Sequence, residues 1–407
     1  MSSFLSTIKD RRRLGYLTSG VLICVLLVFF ITLPIVSVFL KSFQDKDGLF
    51  TLENYYNAFT MEETGNAIKN SLLLSLSVTG LSTLIAVPEA YILAKTKLKR
   101  LWWLDLVMMI PFMVPPYINS MGWMLFMQRN GILYRNFKFL RPMASSFFSF
   151  FGMVWIMSMH TSPFLMTMLK NAFMSFPKSI DDADSIYVRK GWTRFRKVYA
   201  PILFPNFLIG AFLVFVKALS EYGTPATFGP EINVLVFSTI ITNKMQVAPI
   251  DFSMASSLAS LLVTICMVLW LVQMYVTSKK TIALKDEGNG RITKSWTACI
   301  LGSLFLVVLF FFSAFIPLFT IVVSSFKKTL YKNLNVPGNF TFDNYRIAFE
   351  GEEGFANGYE AIGNSFFIGI MSSLLILVVG VILAIFSFRN KKKLLGKGVE
   401  FLDMLPR

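Results

Sequence analysis

The feature that most constrains this chain is a series of apolar runs, each about as long as a bilayer is thick. A helix of about 20 apolar residues spans the hydrocarbon core, and runs of this length recur along the whole sequence. They lack the period-two alternation of barrel strands, so they predict an all-α, polytopic membrane helical bundle. The predicted helices are 17–40, 68–94, 102–128, 146–173, 202–221, 252–278, 296–326 and 362–388, with a ninth beginning near 398.

The composition is typical of a membrane protein, and the sequence contains no pattern of catalytic or metal-binding residues. The chain is 55% hydrophobic with a mean hydropathy of +0.60, whereas soluble domains average about 45–50% apolar residues. Its three cysteines lie in apolar runs, and with one histidine they form no pattern typical of a disulfide framework, a metal site or a catalytic centre. The sequence contains no Gly-x-x-x-x-Gly-Lys-Ser/Thr phosphate loop. We therefore expect no enzymatic activity, no metal site and no cofactor bound by this chain.

Lysines and arginines predict the orientation of the helices, because cytosolic loops of membrane proteins are enriched in them. With the N-terminus inside, the cytosolic segments hold 25 lysines and arginines and the external segments hold 12. The segment 128–145 runs against this trend, since it carries four basic residues on the predicted outside. The net charge of +16 is therefore interpreted as a topology signal, with the lipid bilayer and not nucleic acid as the expected partner.

The sequence repeats itself at an offset of 283 to 295 residues. Leu33-Pro34 returns as Ile316-Pro317, Thr51–Tyr55 as Thr341–Tyr345, Asn70-Ser71 as Asn364-Ser365 and Ile110-Pro111 as Leu405-Pro406. Parallel repeats in transporters place two halves around a pathway, so we expect a full protein of about 570 residues, or a second chain that supplies the rest. The predicted parts are a cytosolic N-terminus (1–16), a first repeat of about six transmembrane helices (17–280), a cytosolic linker (281–295) and an incomplete second repeat (296–407).

A polar segment at 181–201 stands between two apolar runs on the predicted cytosolic side. Its three aspartates, at 181, 182 and 184, come first, and five basic residues follow between 189 and 197. This order suits a helix, whose N-terminus favours acidic groups and whose C-terminus favours cations. Apolar residues between the charges, such as Trp192 and Phe195, offer contact to a partner. The segment is either a docking element for a cytosolic protein or an amphipathic helix lying on anionic lipid.

The same segment resembles the EAA loop of bacterial ABC-importer permeases, which reads Glu-Ala-Ala, three residues, Gly, nine residues, Ile, one residue, Leu-Pro. The matching positions here are Asp182, Ala183, Asp184, Val188, Val198, Ala200 and Pro201. Ala183 and Pro201 match outright, Asp182 and Val198 conservatively, and the motif's glycine is displaced to Gly191. The residues assigned to an ATPase-coupling loop are Asp181, Asp182, Ala183, Asp184, Val188, Gly191, Trp192, Arg194, Phe195, Val198 and Pro201.

The resemblance implies a MetI-like permease fold, with one complete repeat plus the start of a second. In this family the loop docks on an ATP-hydrolysing subunit and transmits its movement to the membrane helices. The resemblance therefore implies two copies of an ABC ATPase subunit as partners, with ATP bound there, and an extracytoplasmic substrate-binding protein. It also implies the bacterial plasma (inner) membrane as the location.

A second segment, 219–229, follows the fifth predicted helix and contains helix-breaking residues. Broken backbone at membrane depth is tolerated only where it is buried or lines a cavity. Glu221 brings a carboxylate to the break, which suits cation passage or gating, and Lys217 stands one turn earlier, where it could pair with Glu221. The alternative is a capped helix end in an external loop. The residues assigned to a pathway or gate are Lys217, Glu221, Tyr222, Gly223, Thr224 and Pro225.

The segment 219–229 is also similar to the Glu/Asp-Phe-Gly-x-Pro segment of ferric-iron importer permeases, many of which fuse both halves in one polypeptide. The resemblance thus implies ferric iron, while spermidine or putrescine, sulfate or thiosulfate, and aminoethylphosphonate stay open as substrates. An ion-coupled secondary transporter is the alternative mechanism, but the second copy has no carboxylate equivalent to Glu89. We expect Glu89 to be a snorkelling or paired carboxylate, and His160 to be a packed, hydrogen-bonding residue rather than a ligand.

Overall fold

A computed structural model of the chain confirms the helical membrane class. It describes residues 28–45, 47–175, 193, 195–278, 296–329, 338–351 and 357–390. Within these ranges, the only strand-like pairings are two isolated bridges. Five of the described helices are long and apolar enough to cross a membrane, or six when one bent pair counts as a single span.

Sixteen α-helices are described, together with shorter π and 3-10 turns. In chain order they are α1 (Leu33–Ser42), α2 (Glu53–Thr60), α3 (Glu62–Lys95), α4 (Trp102–Met113), α5 (Pro116–Met127), α6 (Ile132–Asn136), α7 (Arg141–Phe147), α8 (Phe150–Met174), α9 (Ala200–Ser220), α10 (Gly223–Phe228), α11 (Phe237–Gln246), α12 (Phe252–Ser278), α13 (Trp296–Phe310), α14 (Ile316–Ser325), α15 (Asp343–Glu350) and α16 (Gly358–Asn390). The π turns are Val28–Thr32, Phe195–Tyr199 and Phe311–Phe315, and the 3-10 turns are Lys97–Arg100, Lys138–Leu140 and Gly229–Ile232.

The predicted helix 102–128 is wrong as a single element, because the structure breaks it into α4 and α5. Pro115 and Pro116 follow Val114, whose backbone is extended at the end of α4. Proline has no N–H to donate and disfavours helical backbone in the preceding residue. Apolar length alone therefore predicted one span where two prolines dictate a break. In contrast, α3 begins six residues before the predicted 68, since Glu62 and Glu63 suit the first turn of a helix.

The described residues divide into two compact units, one formed by those within 1–54 and 342–407 and the other by those within 55–341. In the larger unit α3 packs along α8, and α9 packs against both. Small side chains hold α3 and α8 close together: the Ser82 and Thr161 hydroxyls are 2.9 Å apart, and the Ser158 hydroxyl donates to the Val78 carbonyl at 3.3 Å. Small and hydroxyl residues are typical of close contacts between transmembrane helices.

The repeat seen in the sequence is also present in the secondary structure. The π turn Val28–Thr32 followed by α1 corresponds, at an offset of 283, to the π turn Phe311–Phe315 followed by α14. In both copies a proline stands at the second position of the helix after the π turn, where its missing N–H and its ring disturb the preceding turn. The helices α2 and α15 correspond at an offset of 290. The boundary predicted at 281–295 lies outside the described residues and stays a prediction.

Candidate functional site: two helix breaks in contact

The first break separates α4 from α5 and leaves a backbone carbonyl without its helical partner. Nε2 of His160, on α8, hydrogen-bonds to the carbonyl oxygen of Val114 at 3.2 Å. The imidazole ring also stacks on the ring of Phe112, with centroids 5.7 Å apart. Because the carbonyl can only accept, this bond places a proton on Nε2. The prediction that His160 is a packed, hydrogen-bonding residue is confirmed.

The second break separates α9 from α10 and is stabilised by a carboxylate. Glu221 follows the last residue of α9 with extended backbone. Its Oε1 accepts hydrogen bonds from the Thr224 hydroxyl at 2.5 Å and from the Thr224 N–H at 3.3 Å. The carboxylate thus satisfies donors in the first turn of α10, where negative charge is favourable.

The two breaks meet because α10 packs against α5. A side chain at Gly223 would bring its Cβ within 3.0 Å of the backbone nitrogen of Tyr117, so only glycine allows this approach without displacement. The Thr227 hydroxyl donates to the Ser120 hydroxyl at 2.8 Å across the same contact. Pro225 and Thr224 are buried there as well, whereas Tyr222 is 44% exposed. The structure therefore gathers four predicted gate residues, 222–225, at one helix junction.

The expected ion pair between Lys217 and Glu221 is not formed. The Lys217 ammonium lies 3.7 Å from the centroid of the Phe112 ring, a cation–π contact. Within the described ranges, the second oxygen of the Glu221 carboxylate has no hydrogen-bond partner. The physical reason is that α9 ends at Ser220, so Glu221 lies outside the helix and the i,i+4 geometry does not hold.

In the described part of the chain, several buried polar atoms on the helices that form this junction lack hydrogen-bond partners. Besides Glu221 Oε2, they include Asn119 Nδ2 on α5 and His160 Nδ1, and each of the three side chains is at most 8% exposed. Unsatisfied polar groups are costly in an apolar bundle, so such groups usually face water or a polar solute during function. Sequence reasoning missed Asn119, although an amide in the first turn after Pro-Pro, inside an apolar run, was a usable signal.

The junction is also tied to the start of α3 and to α11. The Asn70 amide donates to the Leu235 carbonyl at 3.0 Å, and the Ser71 hydroxyl accepts from the Phe237 N–H at 2.7 Å. The next residue, Ser238, donates its hydroxyl to the carbonyl oxygen of Glu221 at 2.7 Å. The Asn-Ser pair of the sequence repeat thus has a structural role in the first copy, because it holds the segment that supports the second break.

The prediction for Glu89 is wrong. Its side chain is fully buried on α3, and neither carboxylate oxygen has a hydrogen-bond partner among the residues that the structure describes, so it neither snorkels nor pairs there. Sequence distance from Lys95 and Lys97 suggested a pairing, but helix packing turns Glu89 into the bundle. An ion pair is formed instead between Asp105 on α4 and Lys170 on α8.

Most of the predicted coupling loop lies outside the described residues. This applies to Asp181, Asp182, Ala183, Asp184, Val188, Gly191, Trp192 and Arg194. Phe195 and Val198 belong to the π turn Phe195–Tyr199, and Pro201 is exposed in the first turn of α9. These assignments stay predictions. In the described part of the chain, no group of three His, Cys, Asp or Glu side chains could hold a metal ion.

Comparison with solved structures finds a similar fold. A chain of a bacterial ABC transporter involved in the import of the acidic polysaccharide alginate superposes with a TM-score of 0.52 and 18% identity, covering 68% of this chain and all of that chain. At this identity the likeness shows the fold alone. The fold is that of the transmembrane subunits of ABC transporters.

Sequence comparison gives the relatives. The ferric transport system permease protein FbpB of Actinobacillus pleuropneumoniae is 23% identical over 97% of this chain and 56% of its own length. The molybdate/tungstate permease WtpB of Thermococcus kodakarensis is 23% identical over 48% of this chain and 71% of its own length. No family profile matches. The chain is thus a homologue of ABC-transporter permeases and a multi-pass membrane protein, and it spans 56% and 40% of the first two relatives that it matches.

Proposed function

We propose that the chain is the substrate-pathway subunit of an ABC importer in the bacterial inner membrane, with its N-terminus in the cytosol. The observation that carries this proposal is the contact between two broken helices around Glu221, inside a bundle otherwise built from apolar helices. Broken transmembrane helices with unsatisfied polar atoms are typical of the pathways of transporters. The relatives named as transport permeases support the same conclusion.

The energy for transport comes, in this proposal, from ATP bound and hydrolysed on two copies of a partner ATPase. The docking element on this chain is the coupling loop 181–201, and an extracytoplasmic binding protein delivers the substrate. The excess of basic residues in the segments on the proposed cytosolic side supports this orientation, because it places the loop in the cytosol.

The proposed substrate is ferric iron. Two relatives named as ferric transport permeases support it, one of them over nearly the whole chain. The free Glu221 Oε2 at the helix junction is an acceptor suited to a cation or its hydration shell. A molybdate or tungstate oxyanion is the second candidate, supported by WtpB-type relatives. A permease for spermidine or putrescine also matches, which keeps polyamines as a further cationic alternative.

Charge reversal in the loop tests the docking assignment. We expect Asp182→Arg, or reversal of Arg194 together with Arg196, to abolish co-purification of the ATPase subunit, while insertion into the membrane stays normal. Lys97→Glu is the matched control, because Lys97 is an exposed basic residue in another segment on the proposed cytosolic side. Retention of the ATPase by the Asp182→Arg variant would contradict the docking assignment.

Removal of one charge at the junction tests the substrate class. Glu221→Gln keeps an acceptor for Thr224 but removes the negative charge. In the complete transporter we expect it to lower uptake of radiolabelled Fe(III) by about tenfold, the effect of about 1.4 kcal/mol on a binding or barrier step. Glu231→Gln, an exposed residue of the 3-10 turn after α10, should leave uptake unchanged. Uptake of molybdate but not Fe(III) by the parent transporter would refute iron as the substrate.

A further inference from the structure

The segment between α5 and α8 is basic, although the proposed orientation places it outside the cell membrane. Residues 128–148 carry Arg129, Arg135, Lys138 and Arg141 and contain no acidic residue. Basic residues of membrane proteins are normally enriched on the cytosolic side, so topology does not account for four of them here. We name residues 128–148 the external basic segment.

The second half of this segment lies across the end of a long apolar helix. Lys138–Phe147, which comprises a 3-10 turn and α7, is bent by 88° from α8. Because α8 is directed across the membrane, a segment perpendicular to it runs roughly parallel to the membrane plane. Only two residues separate Phe147 from the first residue of α8, so the segment lies at the level where that helix begins.

One face of the external basic segment is fixed to the core of the larger unit. Leu133 and Ala144 are buried in this core, and Leu140 packs against it. Nε of Arg141 donates a hydrogen bond to the carbonyl oxygen of Tyr134 at 3.0 Å, and the guanidinium lies 4.9 Å from the centroid of the Tyr134 ring. Arg141 therefore joins α7 to α6, and its role is structural.

The other face presents large apolar side chains beside cations. Phe137 and Phe139 are 47% and 78% exposed, and their rings pack edge to face with centroids 6.3 Å apart. Lys138 is exposed between them, and Met143 is exposed on α7. Apolar side chains next to cations with long stems are typical of segments at a membrane surface, where the charge reaches the headgroups.

A second exposed cation lies at the same end of α8. Arg129 and Phe148 line one cavity, which places the end of α5 beside the start of α8. Glu231 lines this cavity as well, so its carboxylate compensates part of the Arg129 charge. Lys138, between the two exposed phenylalanines, is therefore the principal cation of the exposed face.

We propose that the external basic segment binds an anionic phospholipid in the external leaflet of the membrane. Lys138, assisted by Arg129, attracts the phosphate, and Phe137 and Phe139 enter the boundary between headgroups and acyl chains. A soluble protein partner would need a face that stands clear of the bilayer, whereas the 88° bend keeps this face in the membrane plane. The inference is independent of the transported substrate and of the ATPase.

Quenching by spin-labelled lipid tests this contact. The full chain, with its three cysteines replaced by serine, would carry a fluorophore at Ser145→Cys, an exposed position on α7. It would be reconstituted in phosphatidylcholine nanodiscs that contain equal small fractions of nitroxide-labelled phosphatidylglycerol or nitroxide-labelled phosphatidylcholine. We expect the apparent association from quenching to be about fivefold stronger for phosphatidylglycerol, the effect of one basic residue near an anionic surface.

Removing the two exposed cations should abolish this preference. In the double variant Arg129→Gln with Lys138→Gln, we expect the two labelled lipids to quench equally. Lys69→Gln with Lys244→Gln is the matched control, because both lysines are on the proposed external side but outside the external basic segment. It loses the same charge and should keep the preference.

Substituting the two phenylalanines separates the apolar contact from the charge. In Phe137→Ser with Phe139→Ser we expect weaker quenching by both labelled lipids, because the segment lies less deeply in the bilayer. The preference for phosphatidylglycerol should stay, since both cations are retained. Quenching by both lipids at the parent level would refute the entry of these rings into the bilayer.

The outcomes distinguish lipid from other partners. Equal quenching by the two lipids in the parent, or an unchanged preference in the double cation variant, would refute the anionic lipid site. Absence of quenching by either lipid would overturn the inference in favour of a protein partner. An equal loss of preference in the lysine control would assign the effect to net charge and overturn it as well. Should the double variant fail to insert, Lys138→Gln alone replaces it, and an unchanged preference there would be equally decisive against the site.

Discussion

The helices α3 and α16 occupy equivalent positions in the two copies of the repeat, yet they differ in burial. Asn70-Ser71 on α3 corresponds to Asn364-Ser365 on α16. In the most apolar window of α3, 33% of the residues are buried, whereas none is buried in that of α16. The two helices have similar length, apolar character and secondary structure. The comparison therefore shows that length and apolar character are enough to form such a helix but not to bury it.

Small residues recur on the same face of both helices. At the offset of the Asn-Ser pair, Ser75 and Ala86 of α3 correspond to Gly369 and Gly380 of α16. On α3 both residues are fully buried, and the helix packs along α8. On α16 a side chain added at either glycine would meet no atom of the described residues within 4 Å. A face suited to close helix packing thus stays exposed unless a partner helix lies against it.

The largest expected effect comes from filling a tight glycine contact in the first copy. A Cβ at Gly122 on α5 would lie 2.6 Å from the carbonyl oxygen of Pro317, so Gly122→Leu must displace α14. We expect the free energy of unfolding to fall by about 3 kcal/mol. Thermal unfolding in detergent would show this as a lower Tm. Gly369→Leu on α16 is the control and should leave Tm unchanged, and an equal loss there would show that α16 is covered in the micelle.

A smaller loss of stability is expected when the serine of the Asn-Ser pair is substituted. Ser71→Ala leaves the buried N–H of Phe237 without a partner, which we expect to cost about 2 kcal/mol. Among the described residues the equivalent Ser365 donates to Ala361 of its own helix, so Ser365→Ala should change stability little. Denaturant titration of the two variants would measure the difference. Equal losses would contradict the role assigned to the pair in the first copy.

The smallest effect concerns the hydroxyl contact between α3 and α8. Removing the Thr161 hydroxyl in Thr161→Val should cost about 0.6 kcal/mol, the typical size of a hydrogen bond between transmembrane helices. A double-mutant cycle with Ser82→Ala would isolate the pair. Ser373→Ala on α16 is the control, since that hydroxyl donates only within its own helix. A coupling energy of zero for Ser82 and Thr161 would mean that side-chain size alone brings the helices together.

Much of the fold could be predicted from the sequence, and the failures have common causes. Apolar length located five of the described spans, because helix formation in lipid is a local requirement of the backbone. The prediction from apolar length was wrong at Pro115 and Pro116, because proline breaks the helix even within an apolar run. The prediction of an ion pair between Lys217 and Glu221 was wrong because it assumed that α9 continues through Glu221. The prediction for Glu89 failed because neighbours in sequence were taken for neighbours in space.

The sequence by itself determined the membrane class, the two repeat copies and the position of the acidic residue at the second helix break. These properties depend on hydrophobicity, on proline and glycine and on internal similarity, all of which are local. Only the tertiary structure decided that the two breaks meet, that His160 bonds to the first break, and that the Asn-Ser pair of α3 bonds to the segment next to the second. Such contacts join residues far apart in the chain, and they follow from how helices pack, which no single apolar run specifies.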